Sequence, residues 1–199
     1  MSGNPRPADG APLPPGLIAA VDEATAEVGG GVHYLIAAAV VLDHRPVTAD
    51  LVALVALRQR GFHWHREGTT KRSSMLDLIE AHGVVAHVRV RATARRRQVA
   101  TRAHLLAEVS WLLVADGVEH LVIESQGARE DGRDRASLLD AFNRSGGVPF
   151  TYDWRTKAEP LLWVADAIGG ACREHLIGRN SQPYERLQAM GAIDGITYV

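Results

Sequence analysis

From residue 17 onward the chain alternates between compact apolar runs and stretches in which apolar residues recur every three or four positions. Leu17 to Ala24 is the first compact run, and Gly29-Gly30-Gly31 separates it from a second, Tyr34 to Leu42. Two strand-like runs joined by glycine predict a hairpin. Thr48 precedes Leu51, Leu54 and Val55 at helical spacing, which predicts a capped helix to about Arg58. A short strand over Phe62 to Arg66 and a helix from about Lys71 to His82 follow. Val84 to Ala92 alternates cleanly, with Val84, Ala86, Val88 and Val90 on one face and His87, Arg89 and Arg91 on the other. Gln98 to Asp116 carries a broad apolar stripe through Leu105, Val109 and Leu112 and reads as a helix that Gly117 stops. Leu121-Val122-Ile123 is a short strand of the buried central kind. A polar loop holding Asp131 and Asp134 leads to a helix ending near Gly146-Gly147, then a strand over Phe150 to Trp154. Pro160 suits the first turn of a closing helix to about Leu176.

This order predicts an α/β fold, an open mixed central sheet flanked by helices. Residues 1–15 carry five prolines and almost no large apolar side chain, so we expect a disordered arm there. The folded domain is expected over residues 16–178, with 179–199 as an extension packed on it or trailing from it. At 199 residues and 46% hydrophobic composition the chain can bury one sizeable core. With 22 Lys and Arg against 23 Asp and Glu, attraction to a polyanion has to come from local patches. A single cysteine, Cys172, excludes an internal disulfide scaffold. The first residues lack the apolar core of a signal peptide and no run is long enough to span a bilayer, so a cytoplasmic protein without membrane contact is expected.

The candidate chemistry is carboxylate chemistry. Asp22-Glu23 comes at the end of the first apolar run, and alternation allows only one of the two acids on a given face of the sheet. Glu124 closes the Leu121-Val122-Ile123 strand at the carboxyl edge, where open α/β sheets place their sites. Asp166 is embedded in Leu161-Leu162-Trp163-Val164-Ala165-Asp166-Ala167-Ile168. An acid inside an apolar helix needs a partner, a metal or a raised pKa. Glu159 would share its face if the helix began there. Gly169-Gly170 lowers helix propensity and suggests close approach by a backbone or a ligand.

These segments, with Tyr34-Leu35-Ile36-Ala37, Phe62-His63-Trp64-His65 and Val122-Ile123-Glu124-Ser125, resemble a bacterial family of uncharacterised proteins with a ribonuclease H-like fold, over about Leu17 to Gly178. Ala24 stands where that family carries serine. The resemblance implies a metal-dependent nuclease in which Asp22, Glu124 and Asp166 bind divalent ions, with Glu159 or Glu23 as a fourth ligand. Oxygen ligands suit Mg²⁺ or Mn²⁺. Two such ions about 4 Å apart could activate a water and stabilise the leaving oxygen of a phosphodiester.

Three further features compete or assist. His63 and His65 would share a face of a strand and could meet zinc, or else touch substrate at a rim. Lys71 and Arg72 are placed to contact phosphate. Arg89, Arg91, Arg95, Arg96, Arg97 and Arg102 form the densest basic patch, suited to backbone phosphates of RNA or DNA, and Tyr152 and Trp154 could stack bases. Two functions are therefore carried forward: a divalent-metal-dependent nuclease, and a catalytically silent module that binds nucleic acid while its acids form salt bridges.

Overall fold

A computed structural model describes residues 12–55, 61–143 and 146–199. Its longest strands are β1 (Ile18–Val28) and β2 (Gly31–Val41), paired antiparallel along their whole length. Gly29 and Gly30 between them both have positive φ, 58° and 80°, the backbone that a tight two-residue hairpin turn demands and glycine adopts without strain. Pairing carries β1 well past Ala24, through the polar residues Thr25 and Glu27. Asp22 is therefore in mid-strand, where the sequence reading had a strand end.

The remaining elements are α1 (His44–Val55), α2 (Thr69–Ala81), β3 (Val85–Thr93), α3 (Gln98–Ala115), β4 (His120–Glu124), α4 (Ala128–Asn143), β5 (Thr151–Arg155), α5 (Leu161–Leu176), α6 (Gln182–Ala189) and β6 (Ile196–Tyr198). One six-stranded sheet runs in the order β5-β4-β1-β2-β3-β6. The β1-β2 and β2-β3 pairs are antiparallel; β1-β4, β4-β5 and β3-β6 are parallel. The mixed α/β sheet flanked by helices is the architecture expected. Helices α1, α2, α5 and α6 pack on one face around Ala20, Ala37, Val88 and Val122; α3 and α4 cover the other around Val21, Ile36 and Ile123. α5 is buried nearly all round, as its uniformly apolar sequence requires.

Several local expectations are corrected. Phe62 to Arg66 is not a strand: Phe62 and Trp64 are buried, and residues 64–66 form one tight 3-10 turn closed by the Arg66 N–H donating to the His63 carbonyl at 2.9 Å. Asp131 and Asp134 lie within α4 and are buried, not in a solvated loop. Asp131 accepts hydrogen bonds from the Ser125 hydroxyl at 2.7 Å and the Gln126 N–H at 3.0 Å, which fastens the β4–α4 connection. Thr48 is inside α1, which begins at His44. The expected end of that helix near Arg58 lies outside the described residues. So does most of the proline-rich arm; of its tail, Leu13 packs against the core. The segment after residue 178 adds α6 to one face and β6 to the sheet edge. Among the described residues no helix is long and apolar enough to cross a membrane.

Candidate metal centre

Parallel pairing of β1 with β4 matches Val21 to Ile123, so Asp22 and Glu124 come one step later on adjacent strands. Both continue the face that carries Ala20 and Val122, the face under α5. Asp166 comes down from α5 onto the same spot. The three carboxylates surround the ammonium of Lys157, which sits on the connection between β5 and α5. Lys157 Nζ is 2.5 Å from Asp22 Oδ2, 3.2 Å from Asp166 Oδ1 and 3.7 Å from Glu124 Oε1.

Backbone groups hold this arrangement. The Trp64 N–H donates to Asp166 Oδ2 at 2.7 Å, which ties the 3-10 turn to α5. The Glu23 N–H donates to Asp22 Oδ1 at 2.8 Å. Trp163 Nε1–H donates to the Lys157 carbonyl at 2.7 Å, fixing the backbone from which the ammonium reaches inward. A Cβ at Gly61 would lie 2.8 Å from that carbonyl and 2.6 Å from Trp163 Nε1, so only glycine lets the chain pass there.

The crowding shows in the titration of the acids. Burial, then a hydrogen bond and the charge of Asp22, push Glu124 up to about 8. Burial also raises Asp166, against the pull of Lys157. For Lys157, burial favours the neutral amine, but Asp22, Asp166 and Glu124 together outweigh it and keep the ammonium charged. Nearby His63 is pushed down, chiefly by burial and against the charge of Asp166, and is neutral at pH 7.

Glu23 and Glu159 are not part of this cluster. Glu23 faces α3 on the opposite side of the sheet, as alternation demands, in an ion pair with Arg102. Arg102 also donates to Asp134 Oδ2 at 2.9 Å and to the Glu124 carbonyl at 3.1 Å. α5 starts at Leu161, so Glu159 precedes it, where Arg155 donates to its Oε2 at 3.1 Å. Lys71 pairs with Glu67, and Arg72 is spent on structure: it grips both oxygens of buried Glu174, donates to the Trp64 carbonyl and lies over the Trp64 ring. His63 lies beside the cluster, where the charges of Asp166 and Lys157 act on it, while exposed His65, with its ring 6.0 Å from that of His63, accepts a hydrogen bond from Arg66. Trp154 is buried under Arg135, with Tyr152 edge-on to it 5.1 Å away, which makes both packing residues.

Sequence reasoning missed Lys157. A lysine in a polar connection carries no periodic signal; only its four-residue distance from the start of the apolar helix sets it near Asp166.

The donor chemistry fits a hard divalent cation: three carboxyl groups around one ammonium offer only oxygen, and they carry an excess of negative charge once Glu124 is ionised. As they stand the oxygens are spaced around an ammonium, and among the described residues no group of three or more His, Cys, Asp or Glu is drawn tightly enough to hold a metal unaided. Mg²⁺ binds oxygen at about 2.0–2.1 Å, so the carboxylates would have to close in as Lys157 withdraws.

No family model matches the sequence, and no curated protein matches it. A chain in the structure of the PCNA:RNase HII complex from Archaeoglobus fulgidus is similar at 16% sequence identity and a TM-score of 0.48, over 88% of this chain and 77% of that one.

Proposed function

We propose that the protein is a divalent-metal-dependent phosphodiesterase acting on nucleic acid, on a ribonuclease H-like fold, with Asp22, Glu124 and Asp166 as metal ligands. The observation that supports it is their convergence: acids from β1, β4 and α5, far apart in sequence, reach one buried point. A cation is what makes such crowding tolerable. Mg²⁺ or Mn²⁺ held there would supply an activated water and stabilise a leaving phosphodiester oxygen. The chain's own part is to orient oxygens and handle protons. The N–H groups of Trp64 and Glu23 aim Asp166 and Asp22, Glu124 would have to give up its proton to serve as a ligand, and neutral His63 stands at the rim where substrate would arrive.

Lys157 favours a second reading. An ammonium 2.5 Å from Asp22 could be the permanent counterion of a catalytically silent nucleic-acid-binding module. Labelled RNA, single-stranded DNA and duplex DNA incubated with Mn²⁺ or with chelator separate the two. The nuclease reading expects Mn²⁺-dependent cleavage that Asp166→Asn lowers by about 100-fold or more, the loss implied by several kcal/mol of transition-state stabilisation. Binding that survives chelator with no cleavage of any substrate would instead establish the silent module.

A further inference from the structure

The six arginines of the basic patch do not act together. Arg95 is engaged by Glu27, Arg102 is buried between Glu23 and Asp134, and Arg89 turns to the Val88 carbonyl. Arg91, Arg96 and Arg97 are exposed, and none has a carboxylate within ion-pair distance among the described residues. They surround one cleft of about 620 Å³ with Thr93, Thr101 and His104, between the end of β3 and the first turns of α3. Three guanidinium groups left without counterions around one concavity repel one another and are strongly solvated, a state that a row of phosphates would relieve.

The cleft lies at the same end of the sheet as the acidic cluster but on the opposite face, the side of Tyr34 and α3, whereas Asp22 shares the α5 side with Ala37. β3 runs in the same direction as β1, with Arg91 opposite Tyr34 and Thr93 opposite Val32 on β2, while Asp22 is opposite Ala37. Two strand spacings sideways and three to five residues along put the backbone of Arg91 and Thr93 about 15–20 Å from that of Asp22 in the plane of the sheet. Between the two, on the α3 side of the sheet, lies a second concavity of about 330 Å³ lined by Tyr34, Gln98, Arg102 and Gln126 together with the acids Glu23, Glu130 and Asp134, of which Glu23 and Asp134 are paired with Arg102. Gln126, which lines it, donates to Glu124 Oε2 at 3.4 Å, so this concavity reaches the cluster around the edge of β1, which β4 no longer covers beyond Val21. A path around the free edge of β1 therefore leads from the negative centre on one face to the positive groove on the other, past Arg102 and the acids it pairs with.

We propose that this groove holds phosphates of a nucleic acid strand several nucleotides away from the bond presented to Asp22, Glu124 and Asp166. This rests on the nucleic-acid reading above and adds to it the substrate's course and a length requirement. Contacts to phosphate alone are indifferent to base sequence and weaken with salt.

The test is fluorescence anisotropy with a labelled 16-nucleotide RNA and its DNA counterpart, in chelator so that nothing is cleaved, across a salt series. The triple variant Arg91→Gln/Arg96→Gln/Arg97→Gln is compared with wild type and with Arg45→Gln/Arg179→Gln, which removes exposed charge elsewhere. The expected result is a loss of roughly tenfold or more in affinity for the triple variant, a log–log salt slope shallower by about 2, and little change in the control. Wild-type affinity in the triple variant, an equal loss in the control, or no binding of either strand by wild type would each overturn the proposal. With Mn²⁺, the triple variant should hydrolyse bis(p-nitrophenyl) phosphate, too short to reach the groove, at the wild-type rate. Lost binding without any such hydrolysis in wild type would remove the nuclease reading and leave the groove. Hydrolysis with unchanged binding would do the reverse.

Discussion

A carboxyl whose proton is held to about pH 8 makes its own pH signature. Glu124 is protonated in the folded protein and, above its ordinary value of 4.5, ionised in the unfolded chain. Folding therefore binds a proton between about 4.5 and 8, and this contribution to stability is present at low pH and lost as pH rises through that window. Glu124→Gln mimics the protonated form and has no such dependence. In chelator, thermal melts across pH 4.5 to 8 should show the variant gaining steadily on wild type; a constant difference would mean that Glu124 is ionised in the folded protein. Asp166 was legible in the sequence because an acid among Leu162, Val164 and Ile168 cannot be left unpaired. Glu23 and Glu159 were ambiguous for a physical reason: a strand's alternation offers two adjacent acids to two faces, and a helix's first turn cannot be located to the residue from periodicity.

At the level of elements, the most position-sensitive contact is between α5 and the turn at Trp64. A Cβ at Gly170 would lie 2.4 Å from the Trp64 ring, whereas one at Gly169 would meet Ala37 Cβ at 3.6 Å, an ordinary contact. Gly170→Ala should therefore destabilise the protein by about 1–3 kcal/mol despite its better helix propensity. Gly169→Ala should be neutral or stabilising by up to about 1 kcal/mol. Urea denaturation of the two variants checks the pair, and equal effects would show that Trp64 does not pack against α5 as described. The glycine pair signalled close approach in advance, but not that the approaching group would be an indole. Helices and strands with strong periodicity, β3 and α3 above all, were readable almost to their ends. The turn at residues 64–66 was not, because its conformation is dictated by burial of Trp64 and by an N–H bond to Asp166 more than a hundred positions away.

Across the whole molecule, two unlike charge environments lie at one end of the sheet on its opposite faces, and a single lysine balances the acidic one. Removing that balance should be costly: Lys157→Met should lower stability in chelator by about 3 kcal/mol, the scale of breaking one side of a buried ion pair. Mn²⁺ should then restore more of the melting temperature in this variant than it adds to wild type, since no ammonium competes for the carboxylates. If Mn²⁺ leaves the variant unrescued, Lys157 is part of the finished structure instead of a placeholder. The convergence of distant acids could be anticipated only as a hypothesis, because sequence spacing says nothing about which strands become neighbours.

The most direct measurement is the Mn²⁺ affinity of the purified protein, read at pH 8 from the free-ion electron paramagnetic resonance signal, for wild type and for Asp22→Asn and Asp166→Asn. The expected result is saturable binding by wild type and a loss of about tenfold or more in each variant, with the folds intact by circular dichroism. Binding that is absent from wild type, or equal in all three proteins, would contradict a metal centre at Asp22, Glu124 and Asp166.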